Sequence, residues 1–126
     1  MSANALILFA HGARDPRWAA PFERLRAQIQ SQEPGLPVQL AFLELMEPRL
    51  PAVVAQLAEQ GCHAATVVPV FLGQGGHVMR DLPLLIAELQ VSHPDVILRV
   101  AEAVGEDAQV QNAMAQYCIS TLTTAG

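Results

Sequence analysis

Four short apolar runs recur along this chain, each followed by a segment whose apolar residues fall at helical spacing. That alternation constrains the fold more than any other feature. The first run, Ala5-Leu-Ile-Leu-Phe-Ala10, is apolar at every position, as a strand buried on both faces must be. Residues 16–32 then carry Trp18, Phe22, Leu25 and Ile29 on one helical stripe, with Pro16 suited to a first turn. Pro34-Gly35 stops that helix, and Val38–Leu43 reads as a second strand. A second helix is expected over Leu50–Gln60, where Leu50, Val53, Val54 and Leu57 share a face and Gly61 follows as the stop. Ala65–Val70 is a third strand, and Gly73-Gln-Gly-Gly76 leads into a helix over residues 77–91. Pro94-Asp95 turns into a fourth strand, Val96–Val100, and residues 106–122 form a last helix. Strands and helices in strict alternation specify a four-stranded parallel sheet with helices on both faces.

The 126 residues suit one α/β domain over 1–126, and a hydrophobic content of 52% is too high for a disordered chain. All seven cations are Arg, which excludes a phosphate-binding Walker lysine and Schiff-base chemistry. A net charge of -5 without basic runs argues against nucleic acid or an anionic membrane as partner. Cys62 and Cys118 make no disulfide framework and no CxxC, and their helix-like surroundings read as those of buried or half-buried thiols. The apolar run at 5–10 is too short for a signal peptide, and Ala64–Leu72, interrupted by Thr66 and Pro69, cannot span a bilayer. The expectation is a soluble cytoplasmic protein.

In open parallel sheets, ligands bind at the carboxyl ends of the strands. His11 follows the first strand, Glu44 the second, and His77 the loop after the third, at steps of 33 residues each. If right-handed crossovers place strand one between strands two and three, the three side chains share one rim. Each residue has a plainer reading: a loop imidazole, a carboxylate paired with Arg, a helix cap. Their coincidence at equivalent steps, beside glycines, favours a common task. His63 and His93 lie beside Gly61 and Pro94 and read as surface residues. The loop Gly73-x-Gly-Gly is not the dinucleotide GxGxxG, and no ribose-binding acid follows about 20 residues on. Its glycines, Gly75 and Gly76, instead suit close backbone approach to a flat ligand.

Three segments carry a family resemblance: Phe9-Ala-His-Gly-Ala-Arg-Asp-Pro16, Phe42-Leu-Glu-Leu-Met-Glu-Pro48, and Val68-Pro-Val-Phe-Leu-Gly-Gln-Gly-Gly-His-Val-Met-Arg-Asp-Leu-Pro83. They resemble the CbiX/SirB-type sirohydrochlorin chelatases, and Val104-Gly-Glu-Asp107 looks like that family's loop before the last helix. The length resembles the short, single-domain form, which pairs two chains. The resemblance implies a chelatase-like, flavodoxin-like three-layer sandwich. It also implies insertion of a divalent metal (cobalt, alternatively iron or nickel) into a tetrapyrrole, with no organic cofactor. It assigns metal handling and catalysis to His11 and His77, and Glu44 matches an intermediate carboxylate. Many relatives carry a hydroxyl residue after His-Gly, where this chain has Ala13.

The residue types fit such chemistry on their own account. Neutral imidazole is a good ligand for cobalt, nickel and iron, and can also accept a pyrrole proton. Glu44 can complete the metal site or take the second proton. Arg14, Arg17 and Arg80 flank the two His segments, and guanidinium pairs bidentately with the carboxylates of such a macrocycle. Met46, Met79, Phe71 and Leu72 can form an apolar bed for it. A phosphohistidine phosphatase or mutase also shows His-Gly but has Arg directly before the His, where this chain has Ala10. A metal- or tetrapyrrole-escorting paralogue without turnover keeps the same site. The macrocycle is large for one small domain, which together with the apolar helices predicts a homodimer.

Overall fold

The computed structural model describes residues 4–73 and 76–124, with side chains for all of these except 77–79, 123 and 124. Four parallel strands, β1 (Asn4–Ala10), β2 (Val38–Phe42), β3 (Ala64–Pro69) and β4 (Ile97–Val100), form one sheet in the order β2-β1-β3-β4. Its helices are α1 (Ala20–Gln32), α2 (Leu50–Glu59), α3 (His77–Ser92) and α4 (Ala108–Thr124). Every expected element forms, mostly with ends shifted by one or two residues. β1 lies between β2 and β3, the placement on which convergence of the three site segments depends.

β1, apolar from Ala5 to Ala10, sits inside the sheet with its two faces feeding two separate cores. Ile7 and Phe9 pack with Val53, Val54, Leu57 and Val67 under α2 and α3. Leu8 and Ala10 pack with Val38, Leu40 and Phe42 beneath Trp18, Phe22, Leu25 and Ile29 on the α1 side. Coverage falls off toward the β4 edge. In β3 only alternate residues, Ala65, Val67 and Pro69, are buried, and no residue of β4 is.

Three expectations need correcting. Residues 16–32 are two pieces, a 3-10 turn over Pro16–Ala19 and then α1. Pro21 has no N–H to give to the carbonyl four residues back, so one continuous α ladder cannot run through it. The last helix likewise starts at Ala108, after a separate 3-10 turn, Val104–Glu106. Cys62 is buried, whereas Cys118 is exposed because α4 stands off the sheet. Among the described residues no helix is long and apolar enough to cross a membrane.

Candidate metal centre

The chain leaves β1 at Ala10 and β2 at Phe42, on neighbouring strands, and backbone bonds bind the two exits together. Leu43 N–H donates to the Ala10 carbonyl at 2.9 Å, and Glu44 N–H donates to the His11 carbonyl at 3.2 Å. Gly12, with φ +97°, lies against the Glu44 backbone so closely that a Cβ would collide with the Glu44 carbonyl. Only glycine fits both demands. The loop is tied down further on, where Phe42 N–H donates to the Pro48 carbonyl at 2.9 Å. Leu45, the residue after Glu44, holds the uncommon φ of +68° and is half exposed.

This scaffold brings His11 Nε2 to 3.7 Å from Glu44 Oε1, with both side chains about half exposed. The gap is too long for a hydrogen bond. Two ligand bonds of about 2.1 Å each can span it, so one cation between nitrogen and oxygen fits the pair. His77 opens α3 directly after Gly76, whose φ is +94°, at the carboxyl side of β3, the other neighbour of β1. The backbone therefore carries all three residues to one rim. The His77 side chain and Gly75 lie outside what is described, and the described residues alone contain no cluster of three or more metal-capable side chains.

The arginines differ among themselves. Arg14 and Arg80 are exposed at the rim segments. Arg17 is engaged locally: its guanidinium grips Asp15 through Nη2 to Oδ2 at 2.8 Å and Nε to Oδ1 at 3.1 Å. That fork, with the Arg17 backbone N–H, holds the Asp15 carboxyl below its ordinary range and raises the guanidinium in turn. Of the proposed apolar bed, Phe71 packs edge-on to Phe9 with ring centroids 6.1 Å apart, and Met46 packs into the α1-side core. Leu72 is 73% exposed and remains available, and the Met79 side chain is outside the described set.

Three contributors escaped the sequence reading. Leu45 adds an exposed apolar side chain beside Glu44, and Arg49 pairs with Glu47 at 3.5 Å in the same loop. Gly12 fixes the spacing between the two loops. Leu45 and Arg49 gave no signal, since nothing in the sequence marks a positive φ at Leu or a turn-internal ion pair. His63 and His93 border a separate recess of about 400 Å³ at the amino ends of β3 and β4, away from the rim.

Fold and rim together define a parallel α/β domain with an imidazole–carboxylate pair on the loops that leave two adjacent strands, the central β1 and the edge strand β2. A family model described as CbiX matches residues 5–121, and the chain belongs to the CbiX family. Among solved structures it is similar to a cobalamin (vitamin B12) biosynthesis CbiX protein from Marinobacter aquaeolei VT8. Identity there is 34% and the TM-score 0.84, over 96% of this chain and 98% of that one. It is also similar to SirB from Bacillus subtilis with Fe3+, at 25% identity and TM-score 0.75, covering 90% of this chain and 45% of that chain. The sirohydrochlorin chelatase SirB from Bacillus subtilis subspecies spizizenii in complex with cobalt matches at 25% identity and TM-score 0.73, over 93% of this chain and 50% of that one. The chain thus spans about half the length of the SirB chains. A search of curated proteins finds no match.

Proposed function

We propose that this chain is a sirohydrochlorin chelatase that inserts a divalent metal, cobalt in the first place, into the macrocycle during cobalamin or siroheme synthesis in the cytoplasm. The observation that carries the reading is the His11–Glu44 pair, 3.7 Å apart on adjacent strand exits, with His77 at the next exit. In a chain of the CbiX family, this is a place to hold a cation at the edge of a flat ligand.

The reaction balances as one divalent cation entering the ring and two pyrrole protons leaving. Imidazole at His11 and His77 and carboxylate at Glu44 offer lone pairs first to the partly dehydrated cation. As the ring nitrogens take over the metal, the same groups are freed to accept the departing protons. Exposure suits the task, because a group half open to water can pass a proton on and bind a cation only loosely. Arg14 and Arg80 pair with peripheral carboxylates of the macrocycle, and Leu45 and Leu72 meet its apolar face. Arg17 can join only by sharing its guanidinium with Asp15. Two chains pair as a homodimer to enclose a ligand too large for one.

Incubating the protein with sirohydrochlorin and Co²⁺, Fe²⁺ or Ni²⁺ tests this through the absorption of the macrocycle. The expected result is a metal-specific spectral shift faster than in the enzyme-free control. Binding at one macrocycle per site with no acceleration would show an escort protein and overturn the catalytic reading.

A further inference from the structure

The rim is pinned on two sides. Gly12 fixes the exit of β1 against that of β2, and Gly105 fixes the exit of β3 against the 3-10 turn that follows β4. Gly105 is buried, and its N–H donates to the Phe71 carbonyl at 2.9 Å. A Cβ on it would run into the Leu72 backbone at Cα, carbonyl carbon and oxygen alike, so a larger residue fits only if one of the two segments moves. From the same turn, Glu106 Oε1 comes to 3.8 Å from where a Cβ of Gly73 would stand. Residues 71–73 are thus held along their length by residues 105 and 106.

The turn is in turn held from behind. Gln111 Nε2 donates to the Gly105 carbonyl at 2.6 Å. Glu106 N–H donates to the carbonyl of the fully buried Ala103 at 2.9 Å. Asp107 Oδ2 accepts from the N–H groups of Gln109 at 3.0 Å and Val110 at 3.2 Å, which fixes the start of α4 beside the turn.

What this clamp controls lies a few residues further on. α3 begins at His77, and its first turn is loosely joined to the helix behind it. Pro83 has no N–H to give to the Met79 carbonyl, so one rung between the first turn and the rest of α3 is missing. The Arg80 N–H meets the Gly76 carbonyl only at 3.4 Å, longer than an ordinary backbone bond. Leu82 is the first buried side chain described in α3, so the hold of the core begins beyond that turn. The place of His77 therefore depends strongly on its other anchor, residues 71–73.

We propose that Gly105 is a positioning residue for His77. Acting through the β3 exit, the turn after β4 sets where His77 meets a cation held by His11 and Glu44. The inference rests on the metal centre proposed above and adds the residue that fixes its third ligand.

A double-mutant cycle on Co²⁺ affinity, measured by calorimetry with the full chain and the metal alone, tests it. Gly105→Ala should weaken binding about tenfold in the wild-type background, and about tenfold again in His11→Ala, where His77 still contributes. In His77→Ala it should change affinity by less than about twofold, because the ligand it places is already gone. A substitution that merely loosened the fold would weaken binding in every background. Gln111→Ala removes the bond to the Gly105 carbonyl without adding an atom at the contact, and should give the same pattern at about threefold. That variant carries the test should Gly105→Ala fail to fold. Equal losses with and without His77, or an affinity that Gly105→Ala leaves unchanged, would overturn the positioning role and leave the metal centre standing. A wild-type chain that takes up no Co²⁺ would overturn the metal centre and the positioning with it.

Discussion

The β1–β2 region of the molecule and the β4–α4 region are both rich in apolar residues and end in opposite states. Phe9, at the centre, is fully buried between strands and helices, with Ile7 and Val54 equally closed off. Ile97 and Val100, on the last strand, are 68% and 38% exposed, and α4 shows three large apolar side chains to solvent. The finished half carries His11 and Glu44; the open half carries none of the rim pair. A site that must hold two side chains at a fixed gap needs walls that do not move, whereas nothing on β4 or on the exposed face of α4 has to hold such a gap.

The contrast can be broken most forcefully at the centre. Phe9→Ala should cost about 3–5 kcal/mol in urea unfolding, by opening a cavity between β1 and α3. A loss under 1 kcal/mol would show that the two halves are equally loose. Gly12→Ala should cost about 1–3 kcal/mol, since the side chain forces both a positive φ and the Glu44 carbonyl to give way. It should also abolish Co²⁺ binding measured by calorimetry, and retained binding would mean that the loop spacing is not what sets the site. In the open region, Ile97→Ala should change stability by less than about 0.5 kcal/mol in the same measurement.

The smallest effect concerns Asp15. Its pKa is lowered in the folded chain by Arg17, so its contribution to stability is present above the ordinary carboxylate range and is lost as pH falls through the folded value. Asp15→Asn should therefore flatten the acid limb of the stability curve slightly, leaving neutral pH almost unchanged. It should also release Arg17, and tighter binding of the macrocycle would identify that guanidinium as a carboxylate partner held in reserve. Unchanged binding would confine the Arg17 guanidinium to holding Asp15, the cap of the 3-10 turn.

Much of this was legible before the fold was seen, and for identifiable reasons. Strand β1 was plain because burial on both faces leaves no polar position between Ala5 and Ala10, and the rim segments because each follows a strand in a repeating unit. The break at Pro21 and the separate turn at 104–106 were missed because periodicity reports a stripe of apolar residues and not which hydrogen bonds connect them. Exposure of α4 and Cys118 was missed for a related reason. An uncharged helix reads as buried, and its composition does not say that the domain leaves it exposed. Phe71 and Met46, read as bed residues, also pack against the two cores while staying partly exposed, since the core takes large apolar side chains wherever it can reach them. The His11–Glu44 gap itself depends on Gly12 meeting a carbonyl 32 residues on, a contact no local pattern encodes.

The central claim is that the rim inserts metal through His11. The most direct measurement is the initial rate of enzyme-dependent Co²⁺ insertion into sirohydrochlorin, followed by absorption, for wild type and His11→Ala at matched protein concentration. Loss of at least about a hundredfold in rate, with unchanged thermal unfolding, is the predicted result. A His11→Ala chain that inserts cobalt as fast as wild type would contradict it.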